Sequence, residues 1–272
     1  MIKRPGAIVC GIGAIVTAIV YLSWTTEGVR EPRTPTEQAD ARSRILAQAR
    51  RAFDLDTLDA FIAEQRTRIQ TDPDRAEDWR ILAEAHLERA WIHGRNRGME
   101  VGRPTWSKLP EPVQQDLDLG EAALQRAREL GDATSESYRI EAALTTARVT
   151  GVATAVRLDS RVRTALDTAT RLDPHNPDAI VAAACRKLFK PAWLGGDPTE
   201  AKADLLAVAN VVQDDERPLM FAAYAAWLLE QKDEALALMR RCHARNPANH
   251  YAEVVVRRLE AGEDDPFGRD VD

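Results

Sequence analysis

Three X-Pro steps divide this chain. Asp72–Pro73, Asp173–Pro174 and Asn246–Pro247 each close one Ala- and Leu-rich stretch and stand before another. Proline has no backbone N–H and biases the preceding residue away from helical geometry, so each step ends a helix. Between the steps apolar residues recur at helical spacing, and no strand-like alternation is sustained. The chain is therefore expected to be all-α, built from helices joined by short breaks. With 44% hydrophobic residues but only 6% aromatic, its composition suits close helix–helix packing better than a β-sandwich.

The N-terminus follows a different rule. Met1–Gly6 carries Lys3 and Arg4, and Ala7–Trp24 then runs without a charge. As a helix that run is ~27 Å long, enough for a bilayer core. Tyr21 and Trp24 stand at its far end, where amphipathic rings favour the headgroup level. Residues 1–24 are thus read as a cytoplasmic tip and a transmembrane signal-anchor helix. A cleaved signal peptide is the alternative, although no Ala-x-Ala site follows the run. The positive-inside rule keeps the N-terminus cytoplasmic and places the rest on the periplasmic or extracytoplasmic side. Residues 25–40, with two prolines and several threonines, read as a flexible linker.

The remainder repeats. In TDPDRAEDWRILAEAHLERA, Trp79 comes six residues after Pro73, followed by Leu82 and His86. Ala123, Leu124 and Ala127, then Tyr138, repeat the logic, as do Leu166, Ala169 and Pro174 before Ile180. Ala201 and Ala235 each open a further helix, about one 34-residue period apart. From roughly Leu55 to Glu260 this pattern resembles the tetratricopeptide-repeat (TPR) family, with Ala83 where glycine is usual and His86 where tyrosine is. The resemblance implies an all-α, right-handed α-solenoid of TPR-like helix pairs over 41–261, preceded by the one transmembrane helix. An acidic tail, 262–272, follows.

The pattern is broken at Gly94–Pro112, too long for an ordinary helix connection. This insertion, about 94–112, is either a docking loop centred on Trp106 or an excursion covering the solenoid edge. The glycines of KPAWLGGDP suit a tight turn and lack the Gly-Lys-Ser/Thr ending of a phosphate loop.

Little nominates itself as chemistry. His86 and His93 share a helix face without the His-Glu-x-x-His partner that zinc sites use, so no metal is expected. Asp214, Asp215 and Glu216, and the acidic C-terminal stretch, read as solvated charge. Nothing resembles a Gly-x-Ser-x-Gly elbow, and Cys242 reads as a small packing residue. No cofactor and no enzymatic activity are expected. A net charge of −6 argues against nucleic-acid binding, which requires a basic face.

What the resemblance does imply is a groove lined by the first helix of each pair. Its ligand offsets fall on Glu77, Arg80, Glu84 and Arg139 in the charged half, and on Phe189, Met220, Tyr224 and Trp227 in the aromatic half. The same aromatics could instead pack against the last helix. The expected function is a membrane-anchored adaptor or scaffold that binds a protein or peptide, such as an assembly factor or ancillary chaperone. The alternative is a permanent structural or accessory subunit of a membrane or transport complex.

Overall fold

The computed structural model describes residues 35–96, 108–192 and 195–268, with the backbone alone at 35–41, 95 and 96. The apolar run 7–24 and Trp106 lie outside the described residues. Among the described residues no helix is long and apolar enough to cross a membrane. The chain divides into two compact units, Met1–Arg42 and Ser43–Asp272. Of the first, helical backbone from Pro35 onward and the Arg42 side chain are described; the second carries the repeats.

The described residues form eleven helices and no strand: α1 Pro35–Ala52, α2 Leu55–Thr71, α3 Ala76–Asn96, α4 Glu111–Glu129, α5 Ser135–Ala147, α6 Val152–Leu172, α7 Pro177–Phe189, α8 Pro198–Val211, α9 Arg217–Leu228, α10 Lys232–Arg245 and α11 His250–Ala261. α1 starts at Pro35, inside the stretch read as linker. Proline is tolerated at a first helical position, where its missing N–H has no partner to lose. The insertion is also shorter in the fold than in the sequence, because α3 runs to Asn96 and α4 starts at Glu111.

Packing follows the repeat logic. α3 packs on α4, α5 on α6, α7 on α8 and α9 on α10, while α3, α5, α7 and α9 each touch the next in turn. First helices therefore form one continuous layer. α11 packs on α10, covering an apolar face that would otherwise be left without a neighbour.

The X-Pro steps adopt one backbone conformation three times. Asp72, Asp173 and Asn246 have φ of −138°, −144° and −138°, with ψ of 84°, 97° and 91°. Each donates its N–H back to the carbonyl four residues earlier, on Arg68, Ala169 and Cys242. That is the extended geometry proline imposes on the residue before it. The Trp79 spacing has a cause as well: its indole Nε1 donates to the Pro73 carbonyl at 2.8 Å.

Small residues set the helix spacing. Ala83, Ala85, Ala127, Ala169, Ala179, Ala201, Ala209 and Ala235 are fully buried. In α4, a Cβ on Gly120 would lie 3.3 Å from the Ala83 carbonyl and 2.9 Å from a Leu144 methyl. The absence of that Cβ lets α3, α4 and α5 meet. Mid-helix glycine costs about 1 kcal/mol relative to alanine, and here the close approach offsets it.

Two large apolar clusters result. One joins α1–α5 around Leu58, Ile81, Ile92 and Leu117; the other joins α7–α11 around Leu205, Leu219, Met220 and Met239. Between them α5 and α6 share only a small cluster of Ala142, Val162, Ala165 and Leu166. Hydrogen bonds supplement it. Ser135 Oγ donates to the Ala169 carbonyl at 2.9 Å, and Asn176 Nδ2 donates to Ser135 Oγ at 3.0 Å and Glu136 at 2.6 Å. Asn176 Oδ1 also caps α7 by accepting from the Ala179 N–H at 3.0 Å. Asn176→Ala removes the cap and both bonds at this seam, and is expected to cost about 2 kcal/mol. A lowered urea midpoint by circular dichroism, with unchanged slope, is the check.

Candidate functional site

A cleft of ≈ 320 Å³ opens between the part of α1 from Ser43 onward and the layer of first helices. Leu46, Ala47 and Arg50 line it from α1. Arg80 and Glu84 of α3, Glu136 of α5, and Asp178 and Val181 of α7 line it from the layer, with Asp215 and Arg217 at the α8–α9 turn. α1 is seated through two kinds of contact. Leu46 and Ala49 are buried in the α1–α5 cluster. Arg50 then reaches Glu88 of α3 at 3.0 Å and Asp215 at 3.9 Å.

Arg51 works at the other end of the repeats. Its guanidinium donates to the Asp214 carbonyl and, at 2.9 Å, to the Arg245 carbonyl. The second acceptor lies at the C-terminal end of α10, the negative end of that helix dipole. Asn246 Nδ2 donates back to the Arg51 carbonyl at 3.0 Å. α1 is thus bonded to the first repeat and the last one together. A second opening of ≈ 390 Å³ flanks it, lined by Gln48, Arg51, Asp214 and Asn246 among others.

The charged half of the expected groove lies on or beside this cleft. Glu77 pairs with Arg75 at 3.2 Å and with Arg80 at 4.0 Å; Arg80 also meets Asp132 at 3.3 Å. Arg139 is buried and bridges Glu84 at 2.5 Å and Glu136 at 2.7 Å. Burial pushes the Glu84 carboxyl above its ordinary range, with Arg139 pulling the other way. Burial opposes the charge on Arg139, yet Glu84 and Glu136 hold its proton more tightly than usual.

The aromatic half lies elsewhere. Met220 is 2% exposed, inside the α7–α11 core. Phe189 is half-exposed, and its ring centroid stands 5.8 Å from Tyr224 and 6.0 Å from Phe221. Tyr224 and Trp227 both pack against Phe267, at 5.3 Å and 6.3 Å. Lys232 stands over the Trp227 ring at 5.2 Å. None of these aromatic side chains lines the cleft beside α1.

One sequence reading needs correction here. Asp215 and Glu216, read as solvated charge, are 6% and 3% exposed. Glu216 accepts from Asn246 at 3.0 Å and Asn249 at 3.3 Å, and Asp215 binds Arg217 at 2.6 Å. In the acidic stretch after α11 the carboxylates of Glu263, Asp264 and Asp265 are exposed, as read, while Phe267 beyond them is 2% exposed. Sequence reasoning missed Arg50, Arg51, Asp178, Arg217 and Phe267 altogether. Only Phe267 carried a local signal, an aromatic set among acids.

His86 and His93 converge on one carboxylate. His86 Nδ1 lies 2.9 Å from Asp116 Oδ1, and His93 Nε2 lies 4.0 Å from Asp116 Oδ2. Arg89 donates to the same carboxylate at 2.6 Å. Among the described residues no group of three or more His, Cys, Asp or Glu is placed to hold a metal. Cys242 is fully buried; the Cys185 thiol is pushed up to about 12 by burial and is not poised to react. At KPAWLGGDP, Gly195 has φ +87°, and a Cβ on Gly196 would lie 1.8 Å from the Lys190 carbonyl. Both glycines serve a tight turn.

The buried carboxylates give a pH signature. Burial alone would raise Asp215, but Arg217 and Arg50 more than offset it and hold the carboxyl below its usual range. Asp178, where Arg217, Arg139 and Arg50 outweigh burial, shifts the same way. A depressed folded pKa adds stability that is complete above the unfolded pKa, about 3.9, and lost as pH falls through the folded value. Glu84 acts oppositely. The urea midpoint is expected to drop steeply below about pH 4. Asp215→Asn should flatten that acid limb while costing about 2 kcal/mol at neutral pH, since Asp178 still partners Arg217. Paired denaturation curves across pH 2–7 are the check, the range set by these carboxylate pKa values.

No family model matches the chain, and no curated protein sequence matches it. Among solved structures it is similar to the crystal structure of TTC0263, a thermophilic TPR protein of Thermus thermophilus. The TM-score is 0.53 at 16% identity, over 81% of this chain and 99% of that one. Identity that low carries the fold alone, and in fold the chain is a TPR-like α-helical solenoid.

Proposed function

We propose that the chain is a non-catalytic, membrane-anchored adaptor whose cleft beside α1 binds a helical or extended protein segment. One observation carries the reading: the layer of first helices already holds a helix, α1, through a few buried anchors and two arginines, with open volume on both flanks. Helix-in-groove recognition uses that arrangement, an apolar face set by small anchors and fixed in register by polar contacts. The charged lining, with Arg80, Glu84, Glu136 and Asp178 held in ion pairs, supplies orientation more than affinity.

The apolar run 7–24 and the charge asymmetry around it support the rest. In this reading they anchor the chain by one helix, keep its N-terminus in the cytoplasm and hold the repeats on the extracytoplasmic side of a cell envelope. An assembly factor or ancillary chaperone acting beside the membrane fits that placement. Trp106, in the insertion after α3, is a candidate second contact with the partner.

The cleft is tested by Ala47→Trp, which fills it from α1 without removing a charge. Affinity capture in mild detergent would compare the parent chain, this variant and a chain lacking residues 1–24. The adaptor reading expects partner recovery to fall at least tenfold with Ala47→Trp and to survive loss of the apolar run. If Ala47→Trp keeps every partner and removing 1–24 loses them all, the chain is a permanent subunit held through its membrane helix. Topology is checked separately: protease added outside intact cells with a permeabilised outer layer should digest the repeats. Protection of the repeats until lysis would overturn the extracytoplasmic placement.

A further inference from the structure

After α11 the backbone turns back on itself. Gly262 takes the left-handed conformation at φ +72°, and its N–H and that of Glu263 cap carbonyls of Leu259 and Arg258. Just beyond, Asp265–Pro266–Phe267–Gly268 forms a tight turn, closed by the Gly268 N–H on the Asp265 carbonyl at 3.1 Å. Asp first, Pro second and Gly fourth are the preferences of a β-turn, so this turn is largely formed before it docks.

Its third residue is the anchor. The Phe267 ring is buried against Tyr224 and Trp227 of α9. Tyr251 Oη donates to the Phe267 carbonyl at 2.9 Å, and Arg258 donates to the Gly268 carbonyl. Arg258 also stands 3.6 Å from Glu263, while Glu263, Asp264 and Asp265 are exposed. The slot therefore reads one ring, two main-chain carbonyls and an acidic lead-in. Two of its partners are backbone carbonyls that any chain in the same turn presents. Apolar surface also continues beside Tyr224, at half-exposed Phe189.

We propose that the slot between α9 and α11 is a recognition site for a turn-presented phenylalanine with acidic residues before it. In the resting chain Glu263–Gly268 occupies it in cis, and a partner segment of the same chemistry displaces it. This inference does not rest on the α1 cleft, which shares none of the slot's side chains, so either can fail alone.

The probe is a fluorescently labelled peptide with the sequence of Gly262–Gly268, titrated into the full chain by anisotropy. Phe267→Ala vacates the slot and should bind the peptide at least tenfold more tightly than the parent chain. Binding should vanish when the peptide's phenylalanine is replaced by alanine, or when Tyr224→Ala is added to the chain. If Phe267→Ala lowers helix content, a chain with a protease site inserted after Gly262, folded and then cut, replaces it. That chain must release its own segment and take up the labelled one. Three results would overturn the proposal: no binding to the vacated slot of a folded chain, equal binding to parent and Phe267→Ala chains, or a cut segment that never exchanges.

Discussion

The close approach of helices at small residues is the constraint on which this molecule depends. A helix pair here cannot bury its apolar stripe alone, and it buries it against a neighbour only if backbones come near. Fully buried alanines in α3 to α11, and the bare Cα of Gly120 between Ala83 and Leu144, make that possible. Once the spacing is set, each first helix must lie beside the next. The continuous layer, and the cleft in front of it, are consequences.

Apolar burial is uneven along the layer. The two large clusters are separated by a poor one at α5–α6, and there the chain relies on directional bonds: Ser135 to Ala169, Asn176 to Ser135 and Glu136. A similar device recurs one region later, where Asn246 and Asn249 share Glu216. Buried charges add register. Arg217 ties Asp178 of α7 to Asp215, and Arg139 ties Glu136 of its own helix to Glu84 of α3. Such pairs contribute little net stability against a well-packed apolar core, but breaking one partner leaves the other stranded.

The same economy explains why the candidate surfaces are half-legible. Arg80, Glu84 and Arg139 are named only through the offsets that the TPR resemblance implies, and the fold sets Arg80 and Glu84 on the cleft with Arg139 beside them. Tyr224 and Trp227 are named through the same resemblance, with packing against the last helix as the alternative. Their occupant could not be named, because Phe267 reaches them only after the chain reverses at Gly262. Arg50 and Arg51 look like any basic helix end. The partners of Arg51, namely Asp214, Arg245 and Asn246, are 163 to 195 residues away, a pairing that no local pattern encodes. Asp215 and Glu216 read as solvated because isolated acid runs usually are; Arg217, Asn246 and Asn249 make their burial tolerable.

By itself the sequence determined the all-helical class and the helix ends that proline closes. Proline, capping asparagines and buried alanines act within a few residues of where they stand. The Asp72, Asp173 and Asn246 steps accordingly have one geometry wherever they occur. Tertiary structure decided what lies on the layer those helices make: α1 across the cleft, and the Asp265–Gly268 turn on the aromatic slot. Those contacts join segments distant in the chain, and their energy exists only after the repeats have stacked and brought both ends within reach.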